Sequence, residues 1–117
     1  MNTPTSRTEI PPGTLDMLIL KTLARDGELH GFEIAQAIER TSVGVFLVEE
    51  GSLYPALQRM LVKGWLSGEW GRTSDNRRAR YYRATAAGKR QLEQEIREYE
   101  RAANAISRVL RAAPAGA

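Results

Sequence analysis

The chain has 117 residues, enough for one domain with one core, and its 42% hydrophobic and 26% charged residues are an ordinary globular balance. It has no cysteine and a single histidine, His30. That excludes disulfides, thiolate metal sites and cysteine nucleophiles, and it leaves no pair of imidazoles to hold a metal. The net charge of +3 hides a segregation: residues 72–90 carry seven Lys/Arg against Asp75 alone, or +6, while the rest of the chain sums to −3.

Residues 1–12 hold Pro4, Pro11 and Pro12 among polar residues and read as a frayed N-terminal arm, without the apolar stretch of a signal peptide. Thr14 follows as the cap of a first helix whose stripe is Leu15, Leu18, Ile19 and Leu23, widened by Met17 and Leu20. So wide a stripe predicts contacts on more than one side. After the turn Arg25-Asp26-Gly27-Glu28, the residues Phe32, Ala35 and Ile38 predict a second helix from about Gly31 to Arg40, with His30 at its start. Ser42 to Glu49 is rich in β-branched residues and reads either as a short third strand or as an extended connector.

A third helix is bounded by Ser52, read as its cap, and by Gly64, read as its stop. Pro55 then falls where a helix N–H has no intrahelical partner. Leu53, Leu57, Met60 and Leu61 recur at helical spacing and require a core, whereas Tyr54, Gln58, Arg59 and Lys63 fall on other sides. Trp65–Gly71 and Arg80–Ala84 alternate like two strands, joined by the polar loop Arg72–Ala79. Tyr81 and Tyr82 are adjacent in a strand, so one faces a core and the other does not. Trp65 and Trp70 read as core and strand packing.

The last segment opens at Thr85 and runs to about Ala112 without a proline. Leu92, Ile96, Tyr99, Ala103, Ile106 and Leu110 are spaced alternately by four and three residues, a 3.5-residue repeat. A helix of roughly 27 residues is about 40 Å long, longer than so small a domain covers with its own core. Part of the seam is therefore expected to pack on a second copy.

Three short helices, a hairpin after the third and a long last helix is the order of a winged helix-turn-helix, in which the third helix enters the major groove and the hairpin reaches the backbone or minor groove. The expected fold class is mainly α with a small β-hairpin. Its expected division is arm 1–12, DNA-binding domain 13–84, dimerisation helix 85–113 and tail 114–117. A winged-helix module that binds a protein partner, without specific DNA binding, is the alternative; it accounts for the long seam but not for the charge gathered in the hairpin.

Four motifs carry a resemblance over about residues 14–95. Leu29-His30-Gly31-Phe32-Glu33-Ile34, Gly51-Ser52-Leu53-Tyr54-Pro55-Ala56-Leu57, Lys63-Gly64-Trp65-Leu66 and Arg80-Tyr81-Tyr82-Arg83-Ala84-Thr85-Ala86-Ala87-Gly88 together resemble the PadR family of bacterial transcriptional regulators. A chain that ends after one long helix is similar to the family's short subgroup, whose members dimerise through the first and last helices. The resemblance implies a homodimeric repressor that binds a palindromic operator and, as is usual in the family, is released by a small molecule; with no signal-peptide stretch, the expected location is the cytoplasm, on the nucleoid.

On this resemblance Tyr54 is the expected contact to a DNA phosphate, against the alternative of a half-buried core aromatic. Ser52, Pro55, Gln58, Arg59 and Lys63 lie on or beside the helix that enters the groove, where an amide or guanidinium can meet base edges. Arg72, Asn76, Arg77, Arg78 and Arg80 match the wing, and His30 is a cap or a further phosphate contact. Leu15, Leu18 and Ile19 join the seam at the expected dimer interface. No catalytic residue, metal or cofactor is expected, no apolar run approaches the roughly 20 residues of a membrane span, and the expected partners are duplex DNA, a second copy and an unidentified effector. Some short family members hold flat aromatic compounds between tryptophans of the last helix at the dimer interface; here that helix has none, and Tyr99 is its only aromatic.

Overall fold

A computed structural model describes residues 7–116. Residues 1–6 of the expected arm and Ala117 of the expected tail lie outside the described residues. The elements are α1 (Leu15–Asp26), β1 (Leu29–His30), α2 (Gly31–Thr41), α3 (Glu50–Val62), β2 (Leu66–Arg72), β3 (Arg78–Ala84) and α4 (Ala86–Arg111). The three strands form one antiparallel sheet in the order β1-β3-β2.

The apolar stripes meet in one core. Ile19, Leu20 and Leu23 of α1, Ile34 and Ile38 of α2, and Leu53, Ala56, Leu57 and Met60 of α3 pack with Leu66, Tyr82 and Leu92. Each large aliphatic side chain removed from water in this way contributes roughly 1.5–3 kcal/mol. Residues 7–12 lie on this domain: the Thr8 N–H donates to the Val45 carbonyl at 3.0 Å, Arg7 pairs with Glu39 at 3.1 Å and Ile10 packs against the core.

Several local expectations shift. The third strand is Leu29–His30, paired to Tyr82 and Tyr81, while Ser42–Glu49 is a connector. A two-residue strand is too short to alternate, and the β-branched run that looked like one begins as a tight turn, with Val43 at φ 56° and Gly44 at φ 77°. There the Val43 N–H donates to the Arg40 carbonyl and the Gly44 N–H to that of Glu39, closing the end of α2. Thr14 stands at the N-cap position of α1, but its hydroxyl donates backwards to the Pro11 carbonyl at 2.8 Å.

The start of α3 is corrected in the same way. The helix begins at Glu50, with Glu49 at the N-cap position, so Ser52 lies inside its first turn and caps nothing. The Glu49 carbonyl already accepts from the Ser52 and Leu53 N–H groups at 3.0 and 2.9 Å, and Glu50 places a carboxylate at the positive end of the helix dipole. Pro55 is therefore within the helix and removes a bond to the Gly51 carbonyl; Gly51 is exposed, so water can replace the missing donor. The stop is as read: Gly64 has φ 77°, its N–H donates to Leu61 and that of Trp65 to Met60, the paired bonds that close a helix on a left-handed residue.

The hairpin strands run further than expected, so Arg72 and Arg78 face each other across the ladder and only residues 73–77 form the tip. Thr85 caps α4, accepting from the Gly88 N–H at 3.0 Å while its hydroxyl donates to the Gly64 carbonyl at 2.7 Å. The last helix is thereby tied to the end of α3.

Candidate nucleic-acid interface

Burial of Leu53, Ala56, Leu57 and Met60 turns one face of α3 inward and fixes what the other presents. Gly51, Pro55, Gln58 and Val62 lie along the middle of the exposed face. Tyr54 stands on the edge nearer α2 and is 45% exposed, so it is no core residue. Its ring lies over Gly31 at the start of α2.

The opposite edge of α3 belongs to α1. Arg59 donates to Asp16 at 2.6 Å, and Ser52 lines a hollow with Leu15 and Glu49. The Arg59 guanidinium is thus already engaged by a carboxylate of its own chain. Lys63, past the end of α3, places its ammonium 4.6 Å from the centre of the Trp65 ring.

In the wing, β2 and β3 share one face that starts in the core and ends outside it. Leu66 and Tyr82 on this face are buried, and further along it come Trp70, Arg80, Arg72 and Arg78. Trp70 is 59% exposed, with the Arg78 guanidinium carbon 4.4 Å and that of Arg80 5.9 Å from its ring centre. These are cation–π distances. Trp70 is therefore not a packing residue of the core but a platform for two arginines, and the Arg80 Nε, buried beside Gly68, has no hydrogen-bond partner among the described residues. The strand spacing carried this signal, because Trp70 is an even number of positions from the buried Leu66 and opposite Arg80 rather than an apolar residue.

The tip is a defined turn. The Thr73 N–H donates to the Arg77 carbonyl at 2.8 Å, the Asn76 N–H to the Thr73 carbonyl at 2.9 Å and the Arg77 N–H to the Thr73 hydroxyl at 3.1 Å, with Asn76 at φ 64°. Arg72 donates to the Asn76 carbonyl at 3.1 Å and accepts, through its own carbonyl, the Tyr81 hydroxyl at 3.1 Å. A hydrogen bond from Thr73, then the backbone and Arg77, hold the Asp75 carboxyl below its ordinary range. Asp75 stays anionic 3.7 Å from Arg77 and partly offsets it.

His30 is a cap with both bonds of a capping box: Nδ1 accepts from the Glu33 N–H at 3.4 Å, and Glu33 Oε1 accepts from the His30 N–H at 3.0 Å. Tyr81 packs edge-on to its ring at 5.3 Å. The start of α2, Tyr54 and the wing together enclose an open cleft of about 940 Å³, lined by His30, Tyr54, Arg77, Arg78 and Arg80 from the expected set. Trp70, read from the sequence as packing, and the exposed Phe32, read as part of the apolar pattern of the second helix, line it as well. Pro55, Gln58, Lys63, Arg72 and Asn76 lie exposed outside it, while Ser52 and Arg59 face α1.

The helical seam divides. Leu92 is buried and Ile96 packs against the chain's own core, whereas Tyr99, Ile106 and Leu110 are 48%, 59% and 78% exposed and Ala103 is half-buried between them. Leu15 and Leu18 of α1 are half-buried, Leu15 in the hollow it shares with Glu49 and Ser52, but Ile19 is 0% exposed within the single chain and has no surface to give to a partner. Among the described residues no group of His, Cys, Asp or Glu is placed to hold a metal ion, and no helix is long and apolar enough to cross a membrane.

Comparison with known proteins agrees with this fold. The family model of the PadR-like transcriptional regulators matches residues 19–94. The transcriptional regulator Rv3488 of Mycobacterium tuberculosis is 37% identical over 83 residues, 71% of this chain and 74% of that protein. A transcriptional regulator from Clostridium thermocellum has the same fold with a TM-score of 0.75 and 28% identity, covering 82% of this chain and 92% of that one. Bacillus subtilis PadR, crystallised with operator DNA, shares the fold at a TM-score of 0.64 and 23% identity, over 74% of this chain and 48% of that one. With the family model covering most of the chain and a relative above 30% identity, the protein belongs to the PadR-like family of transcriptional regulators.

Proposed function

We propose that the protein is a sequence-specific repressor that binds a palindromic operator as a homodimer, in the cytoplasm on the nucleoid. One observation carries this reading: α3 buries one face completely and leaves the other free beside a hairpin whose cations lie on the same side of the molecule. A surface helix with an adjoining basic ribbon matches the major groove and the phosphates flanking it. The fold shared with Bacillus subtilis PadR, crystallised in complex with operator DNA, supports a DNA-binding role.

In this reading Gln58 meets base edges, with Pro55 and Ser52 close to the groove and Arg59 at its margin, anchored to Asp16. Tyr54, Lys63 and the start of α2 at His30 face phosphates. Arg72, Asn76, Arg77, Arg78 and Arg80 carry the wing along the backbone or into the minor groove. Tyr99, Ala103, Ile106 and Leu110, continued towards Leu92 and Ile96 and flanked by Leu15 and Leu18, pack on a second copy. Release by a small-molecule effector is carried by the family resemblance alone, and no residue is assigned to it.

The test is to sequence genomic fragments retained by the purified protein. The reading predicts one shared motif made of two inverted half-sites, whose centres lie about one helical turn of DNA, or a multiple of it, apart. Retained fragments with no common motif, or with a single undivided half-site, would contradict it.

A further inference from the structure

Gly31 is the first residue of α2, is buried, and does not have the positive φ that calls for glycine. Glycine is a poorer choice than alanine in a helix, because it loses more backbone entropy on folding. The reason for its presence lies in what a side chain would meet. A Cβ placed on Gly31 would lie 2.6 Å from the Tyr54 hydroxyl oxygen, 2.9 Å from Cε1 and 3.0 Å from Cζ of the same ring. Its three nearest neighbours thus all belong to Tyr54, and no backbone stands as close.

We propose that Gly31 is a positioning residue: its missing side chain is the seat that holds the Tyr54 hydroxyl at the start of α2, aimed into the cleft opposite the wing. No hydrogen bond from that hydroxyl is formed among the described residues, so it remains free to donate to a phosphate. The seat also places it where the N-terminal dipole of an eleven-residue helix favours an anion. Arg78 and Arg80 on the far side of the cleft supply cations, against Glu33, Glu50 and Asp75 on its rim. A side chain at position 31 would leave α2 intact and push the end of the tyrosine aside, since the tip of a ring moves more easily than a helix. The inference rests on the DNA-binding reading.

The test uses the full chain, a mixed-sequence duplex, because a phosphate contact needs no operator, and the variants Gly31→Ala, Tyr54→Phe and both together. Gly31→Ala should melt at the same or a higher temperature and weaken duplex binding about ten- to hundredfold, the span of one hydrogen bond to a charged acceptor. Tyr54→Phe should lose a similar factor, and the double variant should lose no more than the stronger single one. Unchanged affinity of Gly31→Ala, or an equal further loss when it is added to Tyr54→Phe, would overturn the proposal. So would a lowered melting temperature, which would make Gly31 a packing residue. If the unaltered chain itself shows no salt-sensitive duplex binding, the DNA reading fails first and this inference with it.

Discussion

Trp70 shows how much a single side chain alters the account of the wing. An exposed indole on a strand usually costs solubility, yet here its ring seats the guanidinium groups of Arg78 and Arg80. Two long, flexible cations are held in one geometry before any ligand arrives, so less side-chain entropy remains to be lost on binding. Trp70→Ala should therefore leave the melting temperature almost unchanged and weaken duplex binding roughly three- to tenfold, about the entropy of one or two freed side chains. Equal affinity, measured by anisotropy on the same duplex, would return Trp70 to a packing role. Arg59 makes the converse case. Its bond to Asp16 is an exposed ion pair worth at most about 1 kcal/mol, and a guanidinium so engaged is not free for bases. Arg59→Ala should then alter operator preference less than Gln58→Ala does, and a larger change in base preference would show that the Asp16 pair opens on DNA.

At the scale of elements, the predicted order of helices and hairpin is the order found, because each long element has an apolar period that its own core satisfies. The stripe of α1, the inward face of α3 and the proximal seam of α4 were legible as Ile19, Leu20 and Leu23, as Leu53, Leu57 and Met60, and as Leu92 and Ile96. What was not legible is local. Glu49 carries no side-chain signature of a cap, so Ser52 was the better signal and the wrong position for the start of α3. β1 is two residues long and exists only because β3 offers Tyr81 and Tyr82 as partners, which no periodicity reveals. Of the residues that line the cleft, Tyr54 and the wing charges stand out in the sequence as candidates, while the places of Trp70 and Phe32 and the engagement of Arg59 by Asp16 needed the folded register. The division between elements has its own prediction. Arg77→Ala combined with Arg78→Ala should weaken binding to operator and random duplex alike, whereas Gln58→Ala should narrow the difference between them, since phosphate contacts position and base contacts specify. Parallel losses for both variants on both duplexes would remove that division.

The whole molecule is 65 Å long and 22 Å thick, a shape imposed by a last helix that outruns its domain. An apolar repeat that ends in Ile106 and Leu110, both mostly in solvent, is a surface awaiting burial. Ile106→Glu should shift the mass in solution from dimer to monomer and lower the melting temperature, and a wild-type mass would show that the seam is not an interface. In the proposed dimer the basic wings that meet DNA are doubled. With three or more cations per protomer facing phosphates, about six phosphates are neutralised per dimer, and the logarithm of the association constant should fall with that of salt with a slope near −5. Duplex titration between about 50 and 200 mM salt tests this most directly. The account predicts a loss of about a thousandfold over that range. Binding that is absent at low salt, or that is indifferent to salt, would contradict it.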